Sequence, residues 1–268
     1  MTSIADIALS ALSTCSIDSK ITITHQAFDR WHDGELSFHF DKEAPKRPGR
    51  PEKPELILPK EMPRRRKATS NASRIAMLHA IAHIELNAID LAWDIILRFG
   101  NAMPKDFTDD WIKVADDEAR HFELLNNRLI ELESYYGAHP AHDGLWQSAE
   151  KTAHDLKARL AVVPLVLEAR GLDVTPSLIE KFKAANDQKS VVALEIIYKE
   201  EVEHVKAGKK WFQYICDNEN LEPKDTYHML VRKYFIGQLK PPFNKEAREQ
   251  AGLDETFYLP LSVNHKTN

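Results

Sequence analysis

DEARH at residues 117–121 and EEVEH at residues 200–204 share one form: an acid, a glutamate, two residues, then a histidine. Both stretches lie in segments whose apolar residues recur at helical spacing. A buried acid is costly unless it is paired or bound to metal. Two such clusters on apolar helix faces therefore call for one shared explanation.

The surrounding periodicity is helical. Residues 71–99 place Ile75, Leu78, Ala82, Ile89, Ala92 and Ile96 on one face, and Gly100 to Pro104 ends the run. Residues 108–136 align Trp111, Val114, Phe122, Leu125, Leu129 and Leu132, stopping at Gly137. Residues 145–169 form a third segment containing Pro164. Thr175–Pro176 reads as an N-cap followed by a first-turn proline, so a short helix over 176–186 is expected. A long helix over 189–216 carries Val191, Leu194, Ile197, Val205 and Trp211, and shorter helices follow in the tail. With nine glycines in 268 residues, a strand-and-turn architecture is disfavoured, and the expected class is all-α.

The apolar stripes run through acids and histidines. Leu78, Ala82, Ile89 and Ala92 share their face with Glu85. The second helix carries Glu118 and His121. Leu160, Ala161, Pro164 and Leu167 flank Glu168, and Leu194, Ile197 and Val205 flank Glu201 and His204. The pattern is duplicated at an offset of 83: Glu85, Glu118 and His121 repeat as Glu168, Glu201 and His204. IELNAIDL (84–91) matches LEARGLDV (167–174), Asp90 falls on Asp173, and Phe99 on Phe182.

Four ionised carboxylates in a low-dielectric core repel one another and lose hydration. Two divalent cations balance their charge. Glu and His three residues apart share a helix face, so one helix offers an oxygen and a nitrogen to one site. Two Glu-x-x-His helices with one further Glu from each of two others make the ligand set of a dinuclear carboxylate bundle. Oxygen donors with imidazole suit iron or manganese. Asp117 and Glu200, each preceding a ligand Glu, are candidates to accept the far ring N–H of a ligating His and fix its tautomer. Arg120 is a candidate to balance buried acids. His79 and His83 lie about 120° and 160° around the helix from Glu85 and read as structural. Tyr198, near Glu201, reads as an ordinary core tyrosine.

At these residues the chain resembles the ferritin-like superfamily of di-iron carboxylate proteins. DEARH resembles the motif of the bacterial multicomponent monooxygenases. HAIAHIELNAIDLAWD, DWIKVADDEARHFELL, LEARGLDVTP and EVEHVKAGKKWF are similar to a bacterial ferritin-like family of unknown function, over roughly residues 45–252. A tRNA hydroxylase acting on a modified adenosine is a more distant likeness. The resemblance implies a ferritin-like four-helix bundle with extra N- and C-terminal helices and a Pro-rich strap. It also implies two iron ions, with manganese or a mixed pair as alternatives, held by Glu85, Glu118, His121, Glu168, Glu201 and His204. It differs from the ribonucleotide reductase small subunit, whose radical tyrosine position is here Leu125, with Gly208 in the repeat, so no tyrosyl radical of that type is expected. Gly171 to Pro176 interrupts the chain just after Glu168, so the third helix is expected to break there and open a substrate entry.

The expected organisation is an N-terminal helix and strap over 1–70, the bundle over 71–217 and a helical extension over 218–268. Residues 137–144 span only about 25–30 Å when extended. Either part of 145–160 therefore serves as a crossover, or the helix order is simpler than in ferritin. The strap's 44–67 segment, APKRPGRPEKPELILPKEMPRRRK, holds six prolines and nine basic residues and reads as extended backbone. It is read first as a surface strap and second as a phosphate-binding arm, with Arg64, Arg65 and Arg66 as its strongest charges.

The formal charge of −5 excludes no partner class. Cys15 and Cys216 form no disulfide framework, and no apolar run of roughly 18–20 residues stands out, so a cytoplasmic chain with no membrane contact is expected. MTSIADIALSALSTCS lacks a basic leader and reads as a docking helix. The expected activity is an oxidoreductase using O2 and an electron donor to hydroxylate or otherwise oxidise a small-molecule or tRNA substrate, as a monomer or small homo-oligomer. Alternatives are a tRNA-modifying hydroxylase, a ferroxidase, and a scaffold whose metals only stabilise the bundle.

Overall fold

The computed structural model describes residues 1–63, 68 and 70–263. Arg64, Arg65 and Arg66, the centre of the phosphate-arm reading, lie outside the described residues. The described residues are helical, with three isolated β-bridges and no strand, so the all-α expectation holds. Contacts divide the chain into two compact units. One comprises Met1–Trp146 and Ala185–Ala193, the other Gln147–Ala184 and Leu194–Asn268.

The first unit is built on an antiparallel helix pair, α3 (Asn71–Phe99) and α4 (Lys105–Glu131). Ser70 caps α3 by accepting the Ser73 amide. Gly100 ends it where the Phe40 ring would collide with any Cβ. Pro104 starts α4, and Glu133 in the left-handed region follows its end. α3 is long and apolar enough by length and composition to cross a membrane, an exception to the expected absence of such a run. Instead, 72% of that window is buried within the protein, and the helix carries buried Glu85, Asp90 and Asp94.

Two N-terminal helices, α1 (Ile4–Ser13) and α2 (Ile17–His32), cover this pair, α1 against α3 and α2 against α4. The expected docking helix is α1, closed by a Ser3–Asp6 capping box. The strap packs tightly. The Gly49 amide donates to the Leu12 carbonyl at 2.6 Å, and a Cβ at Gly49 would meet the Ser13 and Thr14 backbone. Two of its described bases have acid or amide partners: Arg47 pairs with Asp143, and Arg50 donates to Asn87 at 2.6 Å and faces Asp90 at 3.4 Å.

The second unit departs from the sequence reading. The 145–169 segment is three pieces: α5 (Gly144–Lys151), which starts just before the unit boundary, α6 (Leu156–Val162) and a π-helical turn, Val163–Glu168. Within the unit, buried Arg159 ties the 152–155 turn down, donating to the Ala149 carbonyl at 2.6 Å and to the Thr152 hydroxyl at 3.0 Å. In the π turn the Ala169 amide reaches back five residues to the Pro164 carbonyl.

The chain then continues as α7 (Ala169–Ala184), with Gly171 and Pro176 inside it. The expected break after Glu168 and the separate 176–186 helix are therefore corrected. Pro176 cannot donate to the Leu172 carbonyl one turn back. The Asn244 side-chain amide takes over that role at 3.1 Å, which lets a helix run through proline. α8 (Gln188–Asn218) starts in the first unit and runs on in the second. Its Gly208 lies where a Cβ would sit 2.5 Å from the Pro164 ring, so Gly208 lets the π turn approach. α9 (Pro223–Tyr234), α10 (Lys245–Gln250) and α11 (Glu255–Tyr258) form the C-terminal extension.

Candidate metal centre

In the first unit, Glu85 projects from α3, and Glu118 and His121 from one face of α4. Their exposures are 2%, 0% and 0%. His121 Nδ1 lies 3.4 Å from Glu118 Oε2 and 3.5 Å from Glu85 Oε2. One ligand atom from each of the three falls within 4.8 Å of the others. Two carboxylates and an imidazole, shielded from water and this close, fit a divalent cation with a preference for oxygen and nitrogen donors. This buried cluster could bind a metal ion.

The second unit holds the repeated triad. Glu168 closes the π turn and is half-buried, whereas Glu201 and His204 are buried on α8. His204 Nδ1 lies 3.9 Å from Glu201 Oε2. The π turn adds one residue to the local repeat and so sets the direction in which Glu168 leaves its helix.

Asp117 is buried and accepts from Lys113 at 2.6 Å and from Arg120 at 2.8 Å. Arg120 thus balances an acid, as the sequence reading allowed. Glu200 is half-buried. His79 and His83 are structural. The His79 ring accepts the Gly137 amide at 2.9 Å and stacks on Tyr136. His83 donates to the His142 carbonyl at 3.1 Å and accepts from the Tyr136 hydroxyl at 2.7 Å. Burial pushes His83 down to about 4, so its ring is neutral at physiological pH. Tyr198 is half-buried, its hydroxyl 2.7 Å from the Asn244 amide.

Sequence reading missed the cations that hold the duplicated aspartates. Asp90 is paired with buried Lys20 of α2, whose ammonium also donates to the Ala11 carbonyl at 2.9 Å. Burial still pushes the Asp90 carboxyl upward, against the pull of Lys20 and Arg50. Asp173 receives a two-pronged contact from Arg248 of α10, 2.8 Å on each oxygen. The signal was present: two repeated acids on apolar faces demand two basic partners, and one could be sought in each terminal extension.

A family model matches residues 13–259, and its description reads Protein of unknown function (DUF455). An uncharacterized protein of Haemophilus influenzae is 43% identical over 211 residues, covering 76% of this chain and 73% of that relative. No solved structure matches.

Proposed function

Because the chain belongs to that family of unknown function, we propose its activity from its own residues: it is a dinuclear metal oxidoreductase, with iron as the metal, that activates O2 to oxidise an organic substrate. The observation that carries this reading is the duplicated Glu…Glu-x-x-His pattern, whose first copy is a buried, convergent Glu85, Glu118 and His121. In this proposal Glu85, Glu118, His121, Glu168, Glu201 and His204 together hold two ions. That the two triads act as one centre rests on their 33-residue internal spacing and shared offset. Bound iron supplies the redox chemistry that O2 needs to react with a closed-shell molecule.

The chain's own contribution is charge, dryness and orientation. Four carboxylates offset the charge of two divalent ions. Glu118 and His121 are wholly shielded from water, which strengthens each electrostatic contact in the site. As ligands, His121 and His204 bind through a neutral ring. Asp117 and Glu200 stand beside the ligand glutamates on α4 and α8 to orient those rings, a role that also belongs to the proposal. For hydroxylation, one oxygen atom enters the substrate and the other leaves as water. The donor supplies two electrons and the solvent two protons. We place this activity in the cytoplasm, in a monomer or small oligomer.

The test is metal analysis of the purified chain, followed by stopped-flow absorbance of anaerobically reduced, iron-loaded protein mixed with O2. About two metals per chain and a rapid optical change are expected. Protein that takes up iron yet stays optically silent towards O2 would overturn the reading. Oxidation of added Fe(II) to Fe(III) over many turnovers would instead identify a ferroxidase. The tRNA version loses part of its motivation, because Arg47 and Arg50 of the basic segment are engaged inside the first unit.

A further inference from the structure

The second unit contains a cavity of about 260 Å³ beside the π turn. Val166 and Leu167, which immediately precede Glu168, line it. Ile236, Leu239 and Phe243 add to its apolar wall, and Ile236 is 83% exposed. The polar side is cationic: Arg170, Lys240 and Arg248 line the cavity against one acid, Asp173.

Arg248 is the informative residue. It is 2% exposed, so a charge has been taken out of water. Its Nε and one terminal nitrogen serve Asp173, and that same nitrogen reaches the Ala169 carbonyl at 3.3 Å. The other terminal nitrogen, NH1, is buried and makes no hydrogen bond. A buried donor without a partner is costly. The Phe243 and Tyr258 rings hold the guanidinium at 5.2 and 4.6 Å, so the group cannot swing out to find water. Asp173 neutralises one of the three cations, leaving the cavity with a net charge near +2.

We propose that this cavity binds a small organic carboxylate, its anionic head drawn to the cationic side that Arg170, Lys240 and Arg248 form and its apolar body along Leu167 and Ile236. The volume corresponds to about nine waters of liquid and so admits a ligand of about ten non-hydrogen atoms. Because two of the lining residues, Val166 and Leu167, directly precede Glu168 in the π turn, this assigns a substrate class to the oxidation proposed above and rests on that reading for its catalytic meaning. Binding itself does not depend on it.

The test uses octanoate as probe and octan-1-ol as the uncharged control, titrated calorimetrically into the full chain, both metal-free and iron-loaded. Octanoate is expected to bind at one site per chain, at least about tenfold tighter than octan-1-ol, the scale of a hydrogen bond to a charged group. Substituting Arg248 would break its pair with Asp173 and risk misfolding, so the variants are exposed wall residues. Ile236→Asp, which removes apolar area and adds a like charge, is expected to weaken octanoate about tenfold or more. Lys240→Gln is expected to weaken it about threefold, as befits an exposed charge. Octanoate binding no tighter than octan-1-ol, or binding to both variants as to the native chain, overturns the proposal. Failure of the iron-loaded chain to react with O2 while octanoate still binds removes the oxidase reading and leaves the site. The converse result removes the site alone.

Discussion

The two copies of the repeat keep the same chemistry in different surroundings. In the first, Glu85 stands on an uninterrupted helix, and all three candidate ligands are sealed from water. In the second, Glu168 ends a π turn, is half-buried, and follows two residues, Val166 and Leu167, that line a cavity. Each copy also retains an aspartate five residues beyond its first glutamate, and each aspartate is held by a cation from a different terminus: Lys20 for Asp90, Arg248 for Asp173. What the duplication preserves is thus the donor set and the need for a counterion. What has diverged is backbone regularity and access. This is the pattern expected when one half must stay rigid and dry while the other admits a ligand.

The equivalence of the two copies is most severely tested at the candidate ligands. Glu118→Gln and its counterpart Glu201→Gln are each expected to weaken metal binding by more than about 100-fold, beyond the effect typical of residues that only orient a ligand. Metal content after dialysis reads this directly. The metal-free Glu118→Gln chain is expected to melt at a higher temperature than the metal-free native chain, because one buried charge is gone. If only one of the two substitutions strips metal, the halves are not equivalent.

The counterion pairs come next. Lys20→Ala and Arg248→Ala each leave a buried aspartate without its main cation and are expected to cost about 3–5 kcal/mol in denaturant unfolding. The double replacement Lys20→Met with Asp90→Leu is expected to recover most of the loss, since apolar residues of similar volume replace buried pairs well. These pairs were only half legible in the sequence. Asp90 and Asp173 were visible through their repeat, but their partners lie 70 and 75 residues away along the chain, a distance over which no periodicity carries information. The candidate ligands themselves were legible because each sits on a stripe of its own helix, and a stripe is local.

The break in the third helix was misread for a related reason. Gly171 and Pro176 carry strong local stop signals, and the residue that cancels the second lies far along the chain. Pro176 corresponds to Trp93 in the first copy, an ordinary donor, so the second copy alone needs Asn244. Asn244→Ala is expected to destabilise by about 1–3 kcal/mol, leaving the Leu172 carbonyl without its donor. In a Pro176→Ala background, where the backbone amide can serve that carbonyl, the same change is expected to cost clearly less. A double-mutant cycle gives the coupling. Purely additive effects would show that Asn244 acts through Tyr198 or through its cap on α10 instead.

The smallest effect is a pH dependence in the N-terminal extension. α2 is clipped to α4 by His25, whose ring nitrogens lie 2.5 Å from Asp116 and 3.2 Å from Glu123. The hydrogen bond to Asp116, with help from Glu123, raises the His25 imidazole above its ordinary value. A base raised in the folded state binds its proton more tightly there than when unfolded. Its stabilisation is therefore fully present below the ordinary imidazole range and is lost as pH rises through the raised value. The comparable contact at the other end, His228 on the carbonyls of Thr256 and Phe257, uses neutral acceptors. Comparing native and His25→Gln chains in urea at pH 5.5 and 8.5 is expected to show a gap at the acid pH that shrinks at the alkaline one. Because His25 and Glu123 are partly exposed, that gap is about 1 kcal/mol or less. An equal gap at the two pH values would show that the His25 clip does not depend on the imidazole charge.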